Sequence, residues 1–447
     1  MHRSIALSPS LRHQWQLALA RRDALPPPPA ELESRQLRAV QRSWADAVAD
    51  VPYYASMVAS GSAPREVRTW ADVDAIPVLT RRMLQERSHE FIRRSGPPQS
   101  IMKTAGSTGE PLQIGMNQAE RDLMRIVKLA EWQSFGYTPS SRLFLIWGHG
   151  HLLGTGWRGR LNHARRKLTD AYLGYQRVDA YRLDRATCEA YADALVKFRP
   201  IGLISYGSAL DLFARNTEGY RDRFRALGLR FVLSTAEAPP REDTVPRLED
   251  LFGCPVVQEY GGAEFGQVAF NRRHGRFEVY GDLNYVEGEA PEADEAGAEP
   301  VLVTTLYPRY LPLVRYRVGD AVRRATRLAN GHVHAFDEVA GRVNDVLELT
   351  KGEFVHSVAV FHCIHQESSV FSIQMAVLDD GIEINLVAAT KDRAAAEQRI
   401  RRRLAQVHPM LAHCRFRYVD DLQATSAGKR RWYVDRRTVP CVASRAS

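Results

Sequence analysis

Cysteine is scarce in this chain and poorly placed for a structural role. The five thiols, Cys188, Cys254, Cys363, Cys414 and Cys441, are scattered through 447 residues and never form a CxxC pair. An odd, dispersed set excludes a disulfide scaffold or a zinc knuckle and reads as reduced thiols. Also missing is any apolar run approaching the ~20 residues that a membrane-spanning helix needs. The N-terminus, MHRSIALSPSLRHQWQ, lacks the sustained apolar centre of a signal peptide, so the expected location is the cytoplasm. The net charge of +9 has no basic tail behind it, because the Lys and Arg residues are spread along the chain. That spread weakens a nucleic-acid-binding reading, which charge alone would invite. Runs such as Arg401 to Arg403 and Lys429 to Arg431 read as solvated faces.

What is present is the balance of a globular enzyme, 45% hydrophobic and 25% charged. At ~150 residues per domain the length implies two or three units. Pro26 to Pro29 form a stiff run between an N-terminal helical segment and a helix-like stretch from Glu31 to Val51. Asn117 and Glu120 form a capping box ahead of Leu123, Ile126, Val127 and Ala130 on one helical face. Arg142 to Trp147 reads as a buried strand. Asp184 can cap a helix whose Cys188, Tyr191, Ala192 and Leu195 share a face, followed by the apolar run Ile201 to Tyr206. Leu229 to Leu233 and Pro255 to Tyr260 are further strand candidates, each ending in a small-residue turn, as in α/β sheets that bind ligands at strand ends. From Asp282 to Pro300 the composition turns acidic and rich in Gly and Pro, and the strand-like segments after it suggest a β-rich subdomain over about 282–341. Residues 342–447 then read as a compact α+β unit, with strands at Ile373 to Leu378, Ile382 to Leu386 and around Phe416, and a helix from Ala394 to Val407.

One loop stands out chemically. In Lys103 to Pro111, KTAGSTGEP, Gly106 and Gly109 let the backbone approach an anion, while Thr104, Ser107 and Thr108 supply hydroxyl and amide donors. The GxxxxGK[ST] spacing of a Walker loop is absent. Four segments and a final short motif follow in order: STAEAP at Ser234 to Pro239, EYGGAEFG at Glu259 to Gly266, YRVGD at Tyr316 to Asp320, GRVND at Gly341 to Asp345, and SAGK at Ser426 to Lys429. Each has a plainer reading alone, with Tyr260 a core aromatic, Asp320 a turn former after Gly319 and Lys429 a solvated charge.

Taken in order, these segments resemble the core motifs of adenylate-forming acid:thiol ligases. The likeness is nearest to the phenylacetate–CoA ligase-like branch with its capsule-biosynthesis relatives, and it spans about Thr104 to Lys429. The resemblance implies an α/β fold with a large ATP- and acid-binding domain, 1–341, and a small mobile C-terminal lid, 342–447, that rotates about Asp345. It implies ATP and magnesium as requirements, activation of a carboxylic acid as acyl-adenylate with loss of pyrophosphate, and acyl transfer to a thiol. Coenzyme A is the usual acceptor in the family. An amine or a carrier protein remains the alternative.

By the same resemblance, Thr104, Gly106, Ser107, Thr108 and Gly109 wrap the β- and γ-phosphates. Glu237, Gly261 and Tyr260 line the nucleotide, with the Tyr260 ring on adenine, and Asp320 accepts from the ribose hydroxyls. Arg342 lies near ribose and phosphate. Glu264 is the magnesium carboxylate, a role that suits a hard cation preferring one or two carboxylates plus phosphate oxygens. Lys429 reaches the carboxylate and α-phosphate oxygens, where charge peaks in the adenylation transition state. His151 lies near the acyl pocket, with His149 competing for the place. Tyr206, Ser234, Ala236, Gly262 and Phe265 are acid-pocket candidates that would accommodate a flat or aromatic acid.

Two departures and one absence qualify the match. Glu110 stands where many members have lysine, and Ala427 replaces the usual serine before Gly428. Phe270 to Glu278, where some relatives bind structural zinc, holds no cysteine and a single His274, so no zinc is expected. The resemblance implies no nucleic-acid partner, the rival reading that charge alone suggests, and leaves the acid, the acceptor and a homodimer open.

Overall fold

The computed structural model describes residues 8–103, 112–147, 156–180, 183, 185–236, 239, 243–272, 275–289, 298–340, 346–350, 353–356, 360, 363–364, 367, 369–388, 392–419 and 433–436. Contacts divide the chain into two units. The first joins Met1–Thr104, Leu112–Ser140 and Pro255–Arg342, and the second joins Ala105–Pro111, Ser141–Cys254 and Val343–Ser447.

In the first unit the proline run does what its stereochemistry allows. Pro29 opens the helix Pro29–Asp50 at the position where a missing N–H costs nothing. Gln36, Val40, Trp44 and Ala47 recur at helical spacing and are buried, and the Trp44 indole is satisfied by the Pro64 carbonyl at 3.0 Å. The helix Gln118–Ser134 begins with the capping box expected of Asn117 and Glu120. Two sheets carry the rest. One orders Leu79–Thr80, Tyr316–Arg323, Glu299–Thr305 and Asn284–Gly288, with Glu338–Ala340 also paired to Tyr316–Arg323. The other is an antiparallel run of Val256–Gly262, Gly266–Asn271, Phe277–Val279, Val333–Phe336 and Thr326–Arg327. Their apolar faces share a core that includes Tyr260, Phe265, Tyr316 and Phe336.

In the second unit four parallel strands run in the order Phe231–Thr235, Gly202–Tyr206, Leu143–Ile146 and Tyr175–Val178. Leu143–Ile146 and Gly202–Tyr206 are buried throughout, as parallel strands covered on both faces must be. The strand anticipated at Leu229 to Leu233 lies two residues later, at Phe231–Thr235. The register explains the shift: Phe231 pairs with Gly202, and its ring fills the space where a Gly202 side chain would stand, 2.5 Å from a Cβ there. Burying such a ring is worth roughly 1.5–3 kcal/mol. The helix Arg185–Phe198 turns Cys188, Ala192 and Leu195 inward as anticipated. Between Trp147 and Asp184, where periodicity gave no expectation, lie the helix Gly156–Leu173 and the strand Tyr175–Val178.

The C-terminal part of this unit has its own sheet, in the order Arg415–Tyr418, Gly381–Ala388, Val370–Leu378 and Tyr433–Asp435. The helix Arg393–Val407 contributes Ile400 and Leu404 to a core with Ile373, Met375 and Ile384. Strands and helix fall close to the positions expected from the alternation after Val370. No helix among the described residues is long and apolar enough to cross a membrane.

Candidate active site

The site is best described from the hairpin that carries Tyr260 and Glu264. Val256–Gly262 pairs antiparallel with Gly266–Asn271, so Gly261 faces Gln267 and Gly262 faces Gly266. The two glycines are therefore held within a strand. Their need is close approach: a Cβ on Gly261 would lie 2.4 Å from the Gly266 carbonyl oxygen, and one on Gly262 would lie 2.6 Å from the Phe265 ring. Gly266 has φ +76° with Tyr307 and Met124 pressed against it, a conformation that favours glycine. Phe265 is buried and anchors the turn in the core, which leaves Glu264 at the hairpin tip.

Tyr260 itself is only 7% exposed. Its ring meets Phe336 edge-on at 5.8 Å and lies 6.3 Å from Phe265. Its hydroxyl donates to Asp320 Oδ2 at 3.2 Å. Asp320 lies in Tyr316–Arg323, directly after Gly319 with φ +85°, and stays half-buried. Two motifs read separately in the sequence are thus joined by one hydrogen bond.

Glu264 forms an ion pair with Arg81, the side chains being 12% and 14% exposed. Arg81 is a site residue that sequence reading missed. It opens the short helix Arg81–Glu86, capped by Thr80, whose Oγ1 accepts from Met83 N at 3.3 Å. Leu79 and Thr80 pair in parallel with Tyr316 and Arg317, and this pairing brings Arg81 to the strand that carries Asp320. In sequence it is one of two adjacent arginines, with nothing local to separate it from a solvated cation. Glu259, at the start of the same hairpin motif, accepts from Gln267 Nε2 at 2.9 Å and has Lys128 Nζ at 3.6 Å.

The acid-pocket candidates of the second unit cluster at the carboxyl ends of parallel strands, where open α/β sheets bind ligands. The Trp147 and Tyr206 rings stack at 4.2 Å and 21°. Ser205 pairs with Ser234, and Tyr206 with Thr235. Ser234 Oγ is buried and has no hydrogen-bond partner among the described residues. Ala236 follows with φ +69°, a left-handed conformation that costs a side chain bearing Cβ roughly 1–2 kcal/mol. An orphaned hydroxyl and a strained alanine within three residues mark the STAEAP turn as shaped for something other than stability.

Thr104, Gly106, Ser107, Thr108, Gly109, His149, His151, Glu237, Arg342, Asp345 and Lys429 lie outside the described residues. Of the cysteines, Cys188, Cys254, Cys363 and Cys414 are buried and unbridged. Burial pushes the Cys254, Cys363 and Cys414 thiols up to about 12, so none of these three offers a thiolate nucleophile.

The residues in place fit the groups that a nucleotide site requires. Glu264 is a hard oxygen donor at a hairpin tip, and the guanidinium now beside it shows that the position is built around a positive partner. Asp320 is a half-buried carboxylate acceptor oriented by Tyr260.

No protein-family model matches the chain. It is 21% identical over 396 residues to Protein CapK of Staphylococcus aureus, covering 86% of this chain and 84% of that protein. It is 22% identical over 333 residues to the phenylacetate–coenzyme A ligase of Escherichia coli, covering 71% and 72%. Among solved structures, a 2-hydroxyisobutyryl-CoA ligase in complex with 2-HIB-AMP and CoA superposes with a TM-score of 0.56 at 17% identity, covering 93% of this chain and 95% of that one. The chain thus shares the fold of that ligase, and along most of its length its sequence is similar to CapK and to the phenylacetate–coenzyme A ligase.

Proposed function

We propose that this chain is an AMP-forming carboxylic acid ligase. A substrate carboxylate oxygen attacks the α-phosphorus of ATP, the bond to pyrophosphate breaks, and pyrophosphate leaves with the electron pair. The acyl carbon of the resulting adenylate is then attacked by a thiol, its bond to AMP breaks, and the thiol proton passes to solvent or base. The observation that carries this reading is the hydrogen bond from Tyr260 to Asp320, since it sets an aromatic ring and a half-buried carboxylate side by side, the pair of groups that holds a base and a ribose.

In this reading Asp320 accepts from the ribose hydroxyls, with Tyr260 fixing the carboxylate. Glu264 would hold magnesium, which would offset charge on the phosphates, and Arg81 is the cation that pairs with Glu264 in this structure. Thr104 to Gly109 bind the β- and γ-phosphates, Glu237 and Gly261 line the nucleotide, and Arg342 lies at ribose and phosphate. Lys429 carries the transition-state charge of adenylation on a C-terminal lid that turns about Asp345, and His151 lies at the acyl pocket. Coenzyme A is the acceptor by likeness to the ligases above.

Carboxylate-dependent exchange of labelled pyrophosphate into ATP, run across a panel of acids, tests adenylation independently of the acceptor. Exchange with at least one acid supports the reading, and its absence across aliphatic, hydroxy and aromatic acids with magnesium present would reject it.

A further inference from the structure

The helix Gly156–Leu173 turns most of its large apolar side chains outward. Among its described residues only Gly159 is buried, while Arg166, Asp170 and Leu173 are half-buried. At about 100° per residue these four share one face. The opposite face carries Trp157, 66% exposed, Leu161, 52%, Leu168, 72%, and Tyr172, 41%, with exposed Ala164 among them. Positions 157, 161, 164, 168 and 172 make a single helical stripe, roughly 22 Å long at 1.5 Å per residue. Half of the large apolar side chains exposed among the described residues belong to this one helix, so the stripe is more than scattered surface.

Charge borders the stripe. Exposed Arg160, His163 and Lys167 run along one margin and Arg165 along the other. The helix has one acidic residue, Asp170, and it faces inward to Arg177 at 3.1 Å.

We propose that this helix docks the protein on an anionic lipid surface, lying in the plane of the headgroups. Such a surface takes both parts of the pattern: the stripe enters the acyl boundary while the flanking cations meet lipid phosphates. Trp157 and Tyr172 close the two ends of the stripe, and amphipathic rings favour that interface. A second copy related by a two-fold axis would bring like charges together along both margins. A nucleic acid would use the cations and leave the leucines in water.

The test is co-sedimentation of the full chain with vesicles of phosphatidylcholine alone or mixed with phosphatidylglycerol, at low and high salt. The anionic vesicles should bind at least about tenfold more strongly, with loss at high salt. Leu161→Glu with Leu168→Glu should lower that binding at least about tenfold, and Arg160→Glu with Lys167→Glu should abolish the anionic preference. Thermal unfolding is followed for each variant. If the glutamate pair unfolds the protein, Leu161→Ala with Leu168→Ala replaces it, with several-fold weaker binding expected. No anionic preference, or leucine variants that bind like the parent, would overturn the proposal. So would a dimer that the leucine variants dissociate in solution, or capture by an acidic protein with no vesicle binding.

Discussion

The Tyr260 hydroxyl reaches Asp320 across 60 residues of chain and holds its carboxylate at 3.2 Å. Asp320→Ala should therefore raise the Michaelis constant for ATP by about tenfold or more while changing turnover less, because ribose contacts bind ground state and transition state alike. Tyr260→Phe should move the same constant in the same direction by less, since it removes the orienting donor and keeps the acceptor. Steady-state kinetics of pyrophosphate exchange against ATP would decide it: a fall in turnover with ATP affinity intact contradicts both assignments.

Arg81 and Glu264 give opposed expectations. Glu264→Gln keeps size but removes the anionic ligand, so half-maximal exchange should need more magnesium and recover partly in excess. Arg81→Ala removes the guanidinium that competes for the same carboxylate, so half-maximal exchange should need less. Magnesium titrations of the two variants that shift together, or not at all, would separate the ion pair from metal binding.

A second pair speaks to stability alone. Arg309 Nε donates to Glu120 Oε2 at 2.9 Å with both side chains fully buried, and Arg309 Nη1 and Nη2 have no hydrogen-bond partner among the described residues. Glu120 also accepts from the backbone N–H groups of Asn117 and Tyr310. Glu120→Ala strips a helix cap and strands a buried cation, and should cost about 3–5 kcal/mol. Arg309→Met should cost less, because the carboxylate keeps its two backbone donors. Urea unfolding that reverses this order would refute the account.

Two buried groups in contact with neighbouring strands contribute opposed pH responses. Burial pushes Glu287 up from 4.5 to about 7, with Arg315 at 3.0 Å opposing the shift. The folded state holds that proton more tightly, so stability from Glu287 is lost as pH rises from about 4.5 to about 7. Burial lowers His332 from 6.5 to about 3, with His334 adding to it, and its Nδ1 accepts from Val286 N at 3.0 Å. Here the unfolded state binds the proton more tightly, so stability is lost as pH falls from about 6.5 to about 3. The two effects oppose each other between pH 4.5 and 6.5. Glu287→Gln should leave a steeper rise of the urea midpoint with pH across that window, and an unaltered slope would count against these burial effects.

For Lys429 the two half-reactions should part. Lys429→Ala should slow adenylation by roughly two or more orders of magnitude, as when one preorganised charge donor is removed. Transfer from chemically supplied acyl-adenylate to the acceptor should stay near the parent rate, because in the proposed mechanism the lid then presents another face. Both rates need one folded preparation with its thermal unfolding checked. Equal damage to both steps would reject a rotating lid.

Much of the fold is legible in the sequence where a local rule decides it. The Asn117–Glu120 capping box, the inward Cys188, Ala192 and Leu195, and the hairpin about Gly381 follow from caps, period and turn chemistry that act over a few residues. Arg81 is not legible, because its role comes from parallel pairing of Leu79 and Thr80 with residues far along the chain. The helix Gly156–Leu173 does carry a helical apolar period at Trp157, Leu161, Ala164, Leu168 and Tyr172, but that period lies on the exposed face, and the inward face of Gly159, Arg166, Asp170 and Leu173 is mostly polar or small. The diglycine at 261 and 262 is legible as special, but its reason is close contact, with the facing strand at 261 and with the Phe265 ring at 262.

Under the proposed function, that contact bears on how acid selectivity could be retargeted. At position 261 the obstacle is the backbone of Gly266, which no neighbouring substitution moves, so a library randomised there should return glycine whatever acid is used for selection. At position 262 the obstacle is the Phe265 ring, and a smaller residue at 265 would open the space. Positions 262 and 265 should therefore be diversified as a pair, since single-site scans of either would record a dead end where the double change has a passage.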